Sequence, residues 1–454
     1  MNLRARRLLY ISCIIIFLLA APWLVLYTAG YRYDWEYRRL VETGSLVVNS
    51  NPIGASVYLN GQIYNKVTPT IINDIPPGKI NLEVKKDGFY DWQRNVNVTP
   101  RVTTFVEDIK LFLQSTPQLL LAGPITDYWW NHKQDKIAYI NPSGELRLYN
   151  TLNKKDGLLM AATRATNKTV IWSPQDDRLI FSRGLSGNLA HFIINPDQPE
   201  KAVNLSSTLN RNFEQIQWDT NSTDTLYGLS RGALYRIPFL LKTARLVQAG
   251  PIVNFTSFKD KIIILAKAVG KRPAVVSSFA IADPSALNPI TTRLDPVNDI
   301  FINTNSEQIA IYNTAQKTLT IIKESNINIP NVGQVIWSKD GSRLVYTSTG
   351  AIYRRTITEP VSELITRYSQ NITNVLWASD ESYIFYTVND SLRVLEIEAA
   401  TTPRVLILVE SLPQAKNTAL VNQPPILTYI DENGQLMSLP LAPEERGTFL
   451  FGGQ

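Results

Sequence analysis

The side chains able to do chemistry in this chain are few and of one dominant kind. One cysteine, Cys13, and two histidines, His132 and His191, stand beside 39 Asp and Glu. Closed zinc and thiolate centres take three or four N/S ligands, so such sites are excluded, as is any disulfide within the chain. What recurs are carboxylates: Asp135, Asp176, Asp177, Asp340 and Asp380 each follow a tryptophan closely. Gathered on one rim they could bind a cation or act as acid and base. In polar turns they would instead close Asx-turns onto nearby backbone N–H groups, and the sequence favours this second role. Trp130, Trp172, Trp218, Trp337 and Trp377 could stack on sugar rings, but their recurrence at one strand position argues for packing. Trp129 is freer. It precedes Trp130 on a strand, so the two point to opposite faces; packing is the favoured role, with one of the two as an exposed stacking platform for a sugar ring the alternative. No G-x-S-x-G occurs, since 184–188 reads GLSGN, and no P-loop or G-x-G-x-x-G is present. Catalytic, cofactor-binding and metal residues are therefore none, and ligand-binding residues remain unassigned.

The elements that carry these residues repeat. Segments 170–182, 335–347 and 375–387 each read as a short strand ending in Trp, a polar turn, and an apolar strand. Weaker copies place Trp130, Trp218, Phe255, Phe301 and Leu420 at the same point, with a mean spacing of about 41 residues. Four short strands per 40–45 residues make one propeller blade. The eight copies predict an all-β propeller over 117–445 with about eight blades, seven being the alternative. The segment 117–125 (PQLLLAGPI) echoes 244–252 (ARLVQAGPI), an outer strand leading into a following blade. The last repeat lacks a fourth strand of its own, so 118–122 is predicted to supply it and close the ring. The Trp-Ser-x-Asp-Gly run at 337–341 resembles the repeats of TolB-like, WD40-related propellers. That resemblance implies a propeller disc of a group whose TolB-like members in general bind proteins, while others cap or accompany hydrolases.

Residues 45–113 form a smaller β-rich segment. Asn60-Gly61 follows the strand pattern of 56–59 and tolerates the positive φ of both hairpin turn positions. The stretch resembles the PEGA domain. The signature reads Pro52-Ile53-Gly54-Ala55, with Ile in place of Glu, and Thr68-Pro69, Pro77-Gly78 and Lys86-Asp87-Gly88-Phe89 also match. The resemblance implies an extracytoplasmic, envelope-associated module without catalytic groups.

Ahead of it, Arg4, Arg6 and Arg7 precede an uncharged run from Leu8 to Thr28. At 1.5 Å per residue this run spans roughly 30 Å, the thickness of a bilayer core. It predicts a transmembrane helix at 8–29 behind a cytoplasmic tip at 1–7, followed by a linker at 30–44. The positive-inside rule leaves the rest extracytoplasmic. A cleaved signal peptide is the alternative, though the apolar run exceeds a typical h-region. Cys13 reads as an apolar thiol within the helix, because Tyr10, Ile11 and Ser12 lack the small residues of a lipobox.

The net charge of +6 splits evenly. Residues 1–43 hold six arginines and three acids, leaving +3 on a nearly balanced ectodomain. No basic cluster suggests nucleic acid. The sequence thus predicts a single-pass cell-envelope protein, its all-β ectodomain being a PEGA-like domain and a propeller, with a C-terminal tail at 446–454. Its function is predicted as binding or scaffolding towards an envelope protein or glycan, with no cofactor and no enzymatic activity. The alternatives are a structural spacer without a ligand and a carboxylate-dependent propeller enzyme.

Overall fold

The computed structural model describes residues 3–28, 30–34, 39–185, 188–267, 269, 274–294, 299–302, 308–313, 315–322, 326–378, 380–397, 404–412, 416–422 and 425–443. The chain separates into two compact units between Thr116 and Pro117, and residues from Pro440 onward belong to the first.

The first unit begins with the helix Leu3–Thr28, whose stretch Leu9–Thr28 is long and apolar enough to cross a membrane, with a mean hydropathy of 2.5. The helix takes in Leu3 to Arg7 ahead of the apolar stretch, because Leu, Arg and Ala are good helix formers and nothing interrupts them. The helix ends in a glycine stop. Gly30 has a φ of 82° and its N–H donates to Tyr27 O at 3.2 Å. Arg32 Nη1 donates to the same carbonyl at 2.8 Å and its guanidinium lies 3.7 Å from the Tyr27 ring centroid. Cationic charge at a helix C-terminus is favourable.

The expected linker at 30–44 is largely β-structure. Tyr31–Asp34 pairs antiparallel with Arg39–Glu42, in register Tyr31 to Glu42. Side chains then tie this hairpin together and to more distant residues of the same unit: Tyr31 OH donates to Glu42 Oε1 at 3.1 Å, Arg101 bonds both, and Arg32 forms an ion pair with Asp74 at 2.7 Å. Arg101 and Tyr31 together hold the Glu42 carboxyl below the usual carboxylate range. Sequence reading missed the hairpin because its aromatic residues matched an interfacial belt equally well.

Beyond it lie two sheets. Gly44–Asn51 sits between Thr70–Ile75, antiparallel, and Thr103–Lys110, parallel. Ser56–Leu59 sits between Gln62–Val67 and Gly78–Lys85, with Trp92–Val98 at the far edge. Alternation sends Leu46 and Val48 from one sheet to meet Val57, Leu82, Val84 and Trp92 from the other in one core. Asn60 and Gly61 take φ values of 49° and 80°, the primed turn that the dipeptide favours.

The second unit holds, among the described residues, eight four-stranded antiparallel sheets at 127–160, 167–204, 215–248, 252–294, 299–329, 335–367, 372–409 and 416–440. The last has only three consecutive strands. Its fourth is Gln118–Leu121, which pairs with Leu436–Pro440 and so joins the two ends of the repeat array, as the echo between 117–125 and 244–252 predicts. Second strands are apolar without alternation because a neighbouring sheet covers each face. Thr225–Ser230 and Tyr383–Val388 are buried at every position. Fourth strands face water, as in the mostly exposed Lys155–Met160. The core is therefore spread over the seams between sheets, where Trp172 joins Ala138 and Ile140 of the preceding sheet and Trp218 joins Ile180 and Ile193.

Candidate functional site

The recurring tryptophans end the first strand of their sheets, and most pack backward. Trp172 Nε1 donates to Trp129 O at 3.1 Å, and Trp218 Nε1 to Ile171 O at 3.1 Å. Each indole thereby satisfies a carbonyl on the preceding sheet's innermost strand while filling the seam. Trp130 closes the ring in the same way, through the last sheet. Its Nε1 donates to Thr428 Oγ1 at 3.2 Å, and Tyr128 OH shares that hydroxyl at 2.9 Å. Trp377 differs, donating to Glu381 O at 2.9 Å within its own turn. Trp129 and Trp130 are both half-buried, Trp129 packing against the seam cluster that contains Trp172 of the next sheet.

The turn carboxylates divide into two roles. Asp176, Asp340 and Asp380 accept backbone N–H groups two residues on, at 3.0, 3.0 and 3.2 Å, as Asx-turns. Hydroxyls of Ser338 and Ser342, with the Ser342 N–H, hold the Asp340 carboxyl down to about 2. Asp135 and Asp177 depart from the expectation. In the first copy Asn131 makes the turn, accepting the N–H of Asp135 and of Lys136 at 3.0 Å each. Asp177 spans a seam to Lys136 at 2.6 Å. Burial pushes its carboxyl up, and the bond and charge of Lys136 outweigh that and lower it. Among the described residues, no three His, Cys, Asp or Glu side chains cluster to hold a metal ion.

His191 is core. Its Nε2 faces Phe213 O at 2.9 Å and must donate, so Nδ1 accepts from Ser182 Oγ at 2.7 Å. Burial pushes its pKa down. His132 is different, being exposed and lining a pocket.

That pocket, of about 580 Å³, lies where the first strands of the last, first and second sheets face one another. Trp129, Trp130 and Trp172 supply aromatic surface, and Asp127, His132 and Asn417 supply polar groups. A second pocket of about 220 Å³ lies along the sixth, seventh and last sheets, lined by Trp337, Trp377, Lys339 and Glu381. Leu420 lines both, so the two share the inner strand Lys416–Asn422. That strand is the inner edge of its sheet, and its pairing with Pro425–Ile430 is broken at one point: the register slips between Lys416 and Ala419, and Asn417 takes a φ of 49°. The bulge frees Asn417 and Thr418 from the ladder and turns them to the pocket, where Asn417 Nδ2 donates to Asp127 Oδ1 at 2.8 Å. Sequence reading missed Asp127, His132 and Asn417 as a group because they lie some 290 residues apart. Ring closure was the available signal, since it makes the first and last repeats neighbours.

In the first unit, the signature loop is bound to Thr68. Gly54 and Ala55 donate their N–H groups to Thr68 O at 2.7 Å and Thr68 Oγ1 at 3.0 Å, while Ser50 and Thr68 hydroxyls meet at 2.6 Å. Ile53, standing in the Glu position, is exposed.

Residues 43–111 match the PEGA domain. No curated protein matches the chain. Among solved structures, the C-terminal WD40 domain of Sif2 is similar at 11% identity, covering 72% of this chain and 99% of that one with a TM-score of 0.49. A eukaryotic initiation factor is similar at 11% identity, 73% and 92% coverage and a TM-score of 0.49. The Cps50 (Swd1) β-propeller domain of Myceliophteria thermophila is similar at 12% identity, 72% and 100% coverage and a TM-score of 0.43.

Proposed function

We propose that this protein is a membrane-anchored, extracytoplasmic binding protein whose propeller takes a carbohydrate in the pocket at the last, first and second sheets. Binding without catalysis is part of this reading, as is an uncleaved helix with its arginine end in the cytoplasm. The observation that carries the proposal is the pocket's mixed lining. The half-buried indoles of Trp129 and Trp130 suit the C–H faces of a sugar ring, while Asp127, His132 and Asn417 suit its hydroxyls. Its volume falls in the range of small-ligand sites, and the bulge beside it spends sheet pairing to aim polar side chains inward. A PEGA domain and a rigid propeller fit a platform held at the envelope.

The test is binding of envelope-derived oligosaccharides to the detergent-solubilised full chain, read by tryptophan fluorescence. His132→Ala and Asn417→Ala alter exposed pocket groups and spare the core. Each should weaken binding about tenfold, the worth of one or two lost hydrogen bonds. Unchanged affinity in both would remove the pocket as the site.

A further inference from the structure

The third propeller sheet carries an apolar projection that its own core does not explain. Between Ala233–Pro238 and Arg245–Gln248 the chain makes a single 3-10 turn, Phe239–Leu241. Phe239 is its anchor, 5% exposed, edge-on to Trp218 at 6.2 Å, with the Arg178 guanidinium 5.2 Å from its ring. The turn is also closed by hydrogen bonds: Phe239 N–H to Asp224 O at 3.3 Å, and Lys242 N–H to Phe239 O at 3.1 Å. With Phe239 seated, Leu240 and Leu241 must point outward, and they are 65% and 66% exposed, with Leu246 at 57%. Single exposed leucines are ordinary, whereas two adjacent ones held outward by a fixed turn are not.

Three cations flank them, and the carboxylate beside the turn, Asp224, is already paired with Arg178 at 3.0 Å. Arg236 and Arg245 are direct cross-strand partners, an arrangement that costs stability unless an anion lies between them. Lys242 follows the two leucines directly, and among the described residues none of the three cations is in an ion pair. We infer that Leu240, Leu241 and Leu246, with Arg236, Lys242 and Arg245, form a contact site for an anionic lipid bilayer. Protruding apolar side chains enter the acyl boundary while the cations meet lipid phosphates. A bilayer is favoured over an acidic protein because the leucines project on a convex turn, which a deformable phase accepts without a matching pocket. The inference rests on the proposed membrane anchor, which keeps a bilayer at high effective concentration.

The full chain carrying Cys13→Ala is reconstituted into phosphatidylcholine vesicles with or without phosphatidylglycerol, and an environment-sensitive dye is placed on a cysteine at position 241 or 361. Val361 is the control: it is 72% exposed in the corresponding turn of the sixth sheet but lies between Glu359 and Glu363. Nitroxide lipids should quench the dye at 241 and spare the one at 361, and only in the anionic vesicles. Lys242→Gln should lower the fraction quenched as a roughly fivefold weaker equilibrium, the worth of one cation near such a surface. Equal quenching at both positions, or no dependence on phosphatidylglycerol, would overturn the contact site. So would protection of position 241 by added envelope protein alone. Extraction of the chain from vesicles by alkaline carbonate would instead sink the anchor, separately from the contact site.

Discussion

Single side chains in this protein do their chemistry inside the fold before they do any outside it. His191 shows this most directly. Its ring is fixed between a carbonyl that needs a donor and a hydroxyl that can give a proton, so the neutral tautomer satisfies both and the cation would leave Ser182 facing an N–H. Desolvation lowers its pKa in the folded state. The unfolded chain then binds the proton more readily, and stability must fall as pH drops below the ordinary histidine value of about 6.5. Above that value both states are neutral and the contribution is fully present. His191→Gln keeps an acceptor towards Ser182 and a donor towards Phe213 without titrating. Melting temperatures measured between pH 7.5 and 5 should decline less steeply for the variant, and parallel curves would show that His191 is not the group responsible. Thr428 has the same internal character: one buried hydroxyl serves Tyr128, Trp130 and the Ala419 carbonyl across the closing seam.

At the scale of elements, the closing strand is the most exposed point of the design. Gln118–Leu121 covers an edge of Leu436–Pro440 that would otherwise offer unpaired backbone to another chain. Replacing 118–121 with glycine and serine removes the packing of Leu120 and Leu121 against Ile430 and Leu436. We expect a loss of about 2–4 kcal/mol and a new tendency to associate. Calorimetry and light scattering would show both, and an unchanged melting temperature would mean that the ring is held by side-chain seams alone. This strand was legible in the sequence because its pattern copies 244–252, and the sheet order was legible because Trp-ended strands recur. Other elements were hidden for physical reasons. The hairpin 31–42 is short and aromatic, so its composition suits a membrane interface as well as a strand. Gln62–Val67 has little alternation to read, being exposed at nearly every position. The pocket was less legible still: its polar residues owe their direction to a bulge and their proximity to closure, and neither leaves a local motif.

For the whole molecule, the decisive quantity is which side of a membrane each part occupies. The helix Leu3–Thr28 meets the length and hydropathy requirement, and a signal sequence would meet it too. Charge bears on orientation, which both share. The chain before the apolar stretch carries Arg4, Arg6 and Arg7 with no acid, whereas the segment just after it mixes Arg32, Arg38 and Arg39 with Asp34, Glu36 and Glu42. In the proposed reading, the first arrangement is what keeps the N-terminus in the cytoplasm. Beyond the helix the chain is tied down at once, because Arg32 bonds the last helical turn and pairs with Asp74 of the PEGA domain. The uncharged run from Leu8 to Thr28 exceeds a typical h-region, and no clean A-x-A follows it. We therefore expect the mature protein in cells to keep its helix. Protease added outside intact spheroplasts should remove epitope tags placed after residue 44 and leave a tag at the N-terminus protected, on a chain whose mass still includes residues 1–30. Loss of the N-terminal tag with survival of the propeller would reverse the orientation, and a mature mass starting beyond Thr28 would make the helix a leader rather than an anchor.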